Sequence, residues 1–223
     1  MKKTFLLLGL ILLFGCSSQE VVDKDKLRPD FDFQKTYILR QNPFAFTTYY
    51  NVWKYLPIAI IDFEKPKDIR AAKYFNVRQQ ISLIGNNFLV RDLEKDKKYL
   101  LKEELLNNSD DLINYSISEN GITICNIKQI TKKDILNFDL IINEKTYKIT
   151  GEIKKKGENA LAFTFSVNDE NVLLCKIIKE YLYFDNAYEI VVNREFSPIK
   201  DLMYICVGVF LDQILKENGY QYK

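Results

Sequence analysis

Ser197–Gly219 reads SPIKDLMYICVGVFLDQILKENG, and from Leu202 to Leu211 it carries no charged side chain. Ser197 is a good N-cap, Pro198 suits a first helical position, and Asn218-Gly219 is a stop signal, so the stretch predicts a helix over about 198–218. A helix without a wet face must be enclosed on all sides. A bilayer span needs about 20 apolar residues, and Leu202–Leu211 falls well short of that. The enclosure is therefore expected to be protein.

The preceding chain, from Ile81 to Val192, supplies the material for it. Phe88–Asp92 turns at Glu94 to Lys97 into Tyr99–Leu101, and Tyr115 and Ile117 turn at Asn120-Gly121 into Ile122 and Ile124. Asn-Gly between alternating segments is a strong hairpin signal. Phe138, Leu140 and Ile142 turn at Asn143 to Lys145 into Tyr147 and Ile149. Leu161, Phe163, Phe165 and Val167 turn at Asn168-Asp169 and return through Val172, Leu174, Lys176 and Ile178, and a last strand runs through Tyr188, Ile190 and Val192. A hairpin of roughly 25 residues thus recurs about four times. Period-two alternation gives each strand one buried and one wet face. The fold class expected is mainly β (α+β), a closed or nearly closed antiparallel barrel of repeated hairpins around the buried C-terminal apolar helix.

Phe88–Asp92, Tyr115–Ile124, Phe163–Ile178, Tyr188–Val192 and above all Leu202–Leu215 resemble the tubby C-terminal-like superfamily, which includes the LURP-one-related proteins and the phospholipid scramblases. The resemblance covers roughly Asn76 to Asn218. It implies a twelve-stranded barrel wrapped around a buried C-terminal helix, and a basic surface of the kind associated with phosphoinositide headgroups. No counterpart of the scramblase calcium site is present.

Before this domain, Phe31 to Phe63 is dense in rings, including Tyr37, Tyr50, Trp53 and Tyr55, and is broken by Pro43 and Pro57. It predicts an extended piece near Tyr37–Leu39, a short helix near Thr47–Leu56, a strand at Ile58–Phe63 and a helical turn around Asp68–Phe75. Its rings are expected mainly to pack on the main domain or to contribute strands to it, with Tyr50 and Trp53 the candidate contacts to a partner.

At the N-terminus, Met1-Lys2-Lys3 and the short apolar run Phe5–Phe14 form a secretory signal. Leu13-Phe14-Gly15-Cys16 resembles a relaxed bacterial lipobox, which implies cleavage after Gly15 and lipidation of Cys16. Two or more acyl chains anchor a protein stably. The organisation expected is a signal peptide over 1–15, a lipidated cysteine and tether over 16–30, an aromatic segment over 31–75 and a tubby-like barrel over 76–223. The protein is then exported and lipid-anchored in the envelope, at the outer membrane where the cell has one.

Composition narrows the chemistry. With 47% hydrophobic and 28% charged residues the chain is globular rather than disordered. The formal charge is +2, and loss of Lys2 and Lys3 leaves a nearly neutral mature chain, which argues against nucleic acid as a partner. There is no histidine, which removes Ser-His and Cys-His nucleophiles and every His-containing metal site. Cys125, Cys175 and Cys206 each sit in an apolar run and read as buried thiols, although an exported chain leaves one disulfide open. Asn107, Asn108, Asp110 and Asp111 lack the spacing and glycine of a calcium loop and read as a plain acidic loop. Neither metal nor cofactor is expected.

Lys154-Lys155-Lys156 is the one single-sign cluster that stands out, in the loop expected from Lys154 to Asn159, and is the candidate headgroup site. Its alternative is a solvated turn beside Glu152 and Glu158. Asp212, at the exit of the helix, is expected to accept from backbone or Tyr groups at the barrel rim in a structural role. The function expected is a non-enzymatic envelope binding module for a lipid headgroup or envelope partner. The alternative is a structural lipoprotein that docks another protein through Phe31–Phe63.

Overall fold

The computed structural model describes residues 35–42, 47–55, 71–83, 85–104, 112–131, 134–155, 161–180, 187–193 and 197–220. All belong to one compact unit, Asp32–Pro57 with Arg70–Lys223; the other unit, Met1–Phe31 with Ile58–Ile69, lies outside the described residues. So do Cys16, the tether, the strand expected at Ile58–Phe63, Asp110 and Asp111.

Twelve strands follow one another, β1 (Lys35–Gln41), β2 (Tyr49–Tyr55), β3 (Ala71–Gln80), β4 (Asn87–Asp92), β5 (Lys97–Glu103), β6 (Asn114–Glu119), β7 (Ile122–Gln129), β8 (Asn137–Ile142), β9 (Lys145–Lys155), β10 (Leu161–Asp169), β11 (Val172–Glu180) and β12 (Ala187–Val192), before the helix α1 (Asp201–Glu217). Each strand pairs antiparallel with the next, and β1 pairs β12, so the meander closes into a barrel without an edge. Twelve strands about 4.8 Å apart, tilted about 40°, enclose a tube about 24 Å across. That is wide enough for one helix of about 10 Å and a layer of strand side chains.

Every residue of α1 from Leu202 to Leu215 is buried. Strand residues such as Tyr37, Phe88, Tyr115, Phe138, Phe165 and Ile190 point at it from around the wall. The helix lies off centre. A Cβ on Gly208 would come within 3.0 Å of Leu39 on β1 and Ile190 on β12. Phe210, two residues on and therefore on the opposite face, meets Tyr115 and Phe138 edge-on at centroid distances of 5.3 and 4.9 Å. The missing side chain on one face and the large ring on the other set that position.

The barrel's outer face carries Arg91, Lys98, Lys102, Lys128, Asp139, Lys148 and Lys176. A membrane-spanning barrel has the opposite polarity, with an apolar band outward. No described helix is long and apolar enough to cross a membrane.

Several expectations require correction. Residues 49–55 form strand β2, not a helix, and Ala71–Phe75 belongs to strand β3, not a helical turn. The barrel therefore begins at Lys35 rather than near Asn76, and the described part of the aromatic segment is wall. The helix begins at Asp201, not at Pro198: Lys200 is its N-cap and makes no side-chain cap bond. Ser197 is occupied otherwise, its Oγ 3.3 Å from the Ile199 N–H and 2.6 Å from the Tyr204 hydroxyl. The C-terminal stop is as expected. Gly219 has φ +79°, and the Gly219 and Tyr220 N–H groups donate to the Lys216 and Leu215 carbonyls, a Schellman closure. The last hairpin turn lies at Glu170-Asn171 rather than Asn168-Asp169. A bulge at Val167/Asn168 shifts the register, so Cys175, Ile177 and Lys179 face inward while Lys176 and Ile178 do not.

Candidate functional site

The barrel has two unlike ends. At the end where α1 enters, short turns join β4 to β5, β6 to β7, β8 to β9 and β10 to β11, and residues 56–70, which join β2 to β3, lie outside the described residues. Asn120-Gly121 and Asn143-Glu144 have positive φ at both positions, the twist a two-residue hairpin requires. At the end where α1 exits, longer connections follow β1, β3, β5, β7, β9 and β11.

Near the exit end lies a buried polar cluster. The Asp212 carboxylate is 0% exposed. Its Oδ1 accepts from Lys179 Nζ at 2.8 Å and from the Tyr188 hydroxyl at 2.9 Å. Its Oδ2 accepts from the Tyr50 hydroxyl and from Lys216 Nζ at 2.5 Å. Lys179 also donates to the Tyr188 oxygen at 2.8 Å, Gln213 Nε2 donates to the Tyr50 oxygen at 2.9 Å, and Lys216 donates to Gln41 Oε1 at 3.0 Å. The cluster thus ties α1 to β1, β2, β11 and β12. Burial alone would raise the Asp212 pKa, but the two ammonium groups outweigh it and hold the carboxyl below its ordinary value. Burial lowers Lys179 against the opposing pull of Asp212, and burial with the neighbouring carboxylate pushes Tyr50 well up. A carboxylate saturated by four donors and sealed from water anchors the helix.

Across the same mouth, Asn86 Nδ2 bridges Glu103 Oε2 at 3.1 Å and Glu217 Oε1 at 3.2 Å. Burial and then Glu103 raise the Glu217 pKa. At the entry end, Tyr37 donates to Asp201 Oδ2 at 2.6 Å, complementing the acidic first turn of the helix. A cavity of about 320 Å³ opens beside it, with Lys54, Lys95 and Lys200 facing Asp92, Glu94 and Asp201 across Tyr74 and Tyr99. Its charges balance. Burial and Glu94 push Tyr74 up to about 12.

The structure scatters the residues singled out in the sequence. Lys154 and Lys155 close strand β9 rather than standing in a loop. Lys154 projects at the exit rim, held only by an exposed pair with Glu152 at 3.3 Å, which is worth little in water. Lys156 lies outside the described residues. Tyr50 is fully buried and offers no surface to a partner. Trp53 is partly exposed on the outer wall, after a bulge at Val52/Trp53. Asp212 does accept from tyrosines, but inside the barrel and together with two lysines. Cys125, Cys175 and Cys206 are free, buried thiols, and burial raises all three. In comparisons with known proteins, no family model, curated protein or solved structure matches this chain.

Proposed function

We propose that this chain is a lipid-anchored protein of the bacterial envelope, held through Cys16, whose tubby-like barrel is a non-enzymatic module that presents its helix-exit rim to an anionic lipid headgroup. The observation that carries the reading is the position of Lys154, at the head of the lysine run. β9 brings Lys154 to the helix-exit rim, while the barrel interior is filled by α1 and leaves a ligand only the ends and the outside. Each lysine near an anionic surface contributes about 1 kcal/mol, so three give an affinity that depends steeply on salt. The twelve-stranded barrel around a C-terminal helix agrees with the architecture the resemblance implies. Docking of a partner through the aromatic segment would fall to Trp53, because Tyr50 is committed to Asp212.

The test is flotation of the chain from Ser17 onward, which retains every strand and the helix, with vesicles of varied anionic content at low and physiological salt. Salt-sensitive binding that disappears in Lys154→Ala/Lys155→Ala/Lys156→Ala is expected. Failure to bind at any salt or composition overturns the headgroup reading and leaves Cys16 as the membrane contact.

A further inference from the structure

Ile81 and Leu83 follow β3 at the helix-exit end and are 95% and 103% exposed, the most exposed large hydrophobics among the described residues. Single exposed aliphatics are ordinary, but two such side chains projecting together from one turn leave apolar surface for something to cover. We propose that the turn bearing Ile81 and Leu83 inserts into the interfacial layer of the lipid bilayer, an inference that rests on the membrane-facing orientation proposed above and adds a second, apolar contact to it.

Three observations favour lipid over protein. Two side chains on a projecting turn fall far below the roughly 1,200–2,000 Å² that a stable protein interface buries, whereas a bilayer needs no matching surface. Exposed cations stand beside the turn, Arg78 near the end of β3 and Lys102 on β5, with Lys102 paired to Glu104 at 3.5 Å and Glu103 and Glu217 held on Asn86 close by; Lys154 stands on the same rim across the mouth. Arg78 is the cation placed to reach lipid phosphate while the apolar tips insert, the way interfacial segments hold to a bilayer. The tether also permits it. β1 starts at the opposite end of the barrel, but the chain from Cys16 to Lys35 can extend about 65 Å, while the longest strand, β9, rises only about 36 Å.

The test uses the full-length chain, carrying whatever modification its N-terminus receives, reconstituted on vesicles of phosphatidylcholine with phosphatidylglycerol. Leu83→Trp is compared with Ile122→Trp, an exposed position on the β6–β7 turn at the entry end. Each is read as a difference from the unsubstituted chain, whose one indole is Trp53. Leu83→Trp emission is expected to shift to the blue and to be quenched by lipids brominated in their chains, with Ile122→Trp unaffected. Ile81→Ser/Leu83→Trp should cut that quenching, since full burial of one aliphatic side chain is worth about tenfold or more in partition. Water-like, unquenched emission from Leu83→Trp overturns the insertion, and quenching at Ile122→Trp instead overturns it by placing the other end on the membrane. The lysine reading fails separately: if Lys154→Ala/Lys155→Ala/Lys156→Ala leaves vesicle binding unchanged while Leu83→Trp is quenched, the inserted turn stands without it.

Discussion

Replacing Asp212 by Asn keeps the shape of the side chain but removes the charge that compensates Lys179 and Lys216, which are 2% and 13% exposed. Two ammonium groups would then share a dry site with two tyrosine hydroxyls. Breaking a buried ion pair from one side typically costs about 3–5 kcal/mol. Against a total stability of about 5–15 kcal/mol, Asp212→Asn should leave a marginally stable barrel, and urea midpoints with an unchanged slope would report it. Replacing the whole charged set, as in Lys179→Met/Asp212→Leu/Lys216→Met, should recover part of the loss, because no ammonium group is then left stranded, while the Tyr50 and Tyr188 hydroxyls still lose Asp212 as acceptor. The pH dependence follows from the shifts. The Asp212 pKa lies below its unfolded value of 3.8, so its contribution is present above that value and disappears as pH falls through the native pKa. Asp212→Asn should flatten that acid limb. Lys179 is already lowered by burial from 10.5, so a variant lacking its counter-ion should regain stability as pH rises toward that value, and the deficit should narrow from neutral to alkaline pH. A loss under about 1 kcal/mol for Asp212→Asn, or a triple variant no more stable than the single one, would refute a sealed and coupled cluster.

Two further outcomes test other parts of the structure. A Cβ on Gly151 would fall 2.6 Å from the ring of Phe165, its fully buried partner across the β9–β10 pair, so Gly151→Ala should cost about 1–3 kcal/mol in denaturant titration; a neutral result would mean that the ring has somewhere to go. Glu217 has a native pKa above its unfolded value of 4.5, so its stabilising share is present below that pH and is lost as pH rises through the native value. Glu217→Gln, whose amide oxygen still accepts from Asn86, should therefore gain on the parent chain as pH rises from acid to neutral, and a pH-independent difference would contradict the shift.

The parts of this fold that were legible in the sequence are those where pattern and structure share a period. Leu202–Leu211 announces an enclosed helix, Phe163, Phe165 and Val167 announce an inward face, and Asn120-Gly121 announces its turn; each lies as that pattern requires. The failures sit at bulges. In Tyr49–Tyr55, Tyr50 and Val52 face inward opposite a bulge whose extra residue is Tyr74 of β3, and the rings at Tyr49 and Trp53, four apart on the other face, imitate a helical spacing. The bulge at Val167/Asn168 likewise reverses the phase expected for the returning strand, which hid Lys179 as an inward lysine. Asp212 and Lys216 stood four residues apart on one helix, the spacing of an ion pair, but nothing local identified the strand lysine and the two tyrosines that complete the cluster. Those come from β2, β11 and β12, and only closure of the barrel brings them together.

That closure also explains why an apolar helix should carry such a costly cluster. Hydrophobic contact is non-directional, and a smooth apolar rod in an apolar tube could slip by a turn, about 5.4 Å, with modest change in buried area. Two polar contacts forbid this. Tyr37 holds Asp201 at the entry end and the Tyr50–Lys179–Tyr188 group holds Asp212 toward the exit, about 16 Å further along the axis. A slip of one turn breaks both at once: Lys216 moves with Asp212, but the carboxylate loses its other three donors, and Lys179 and three tyrosine hydroxyls lose the carboxylates they face, a penalty of several kcal/mol. Burial of the helix thus supplies the stability, and its polar ends select one axial position. That position in turn fixes where Lys216, Glu217 and the Schellman closure emerge beside the rim that carries Ile81, Leu83 and Lys154.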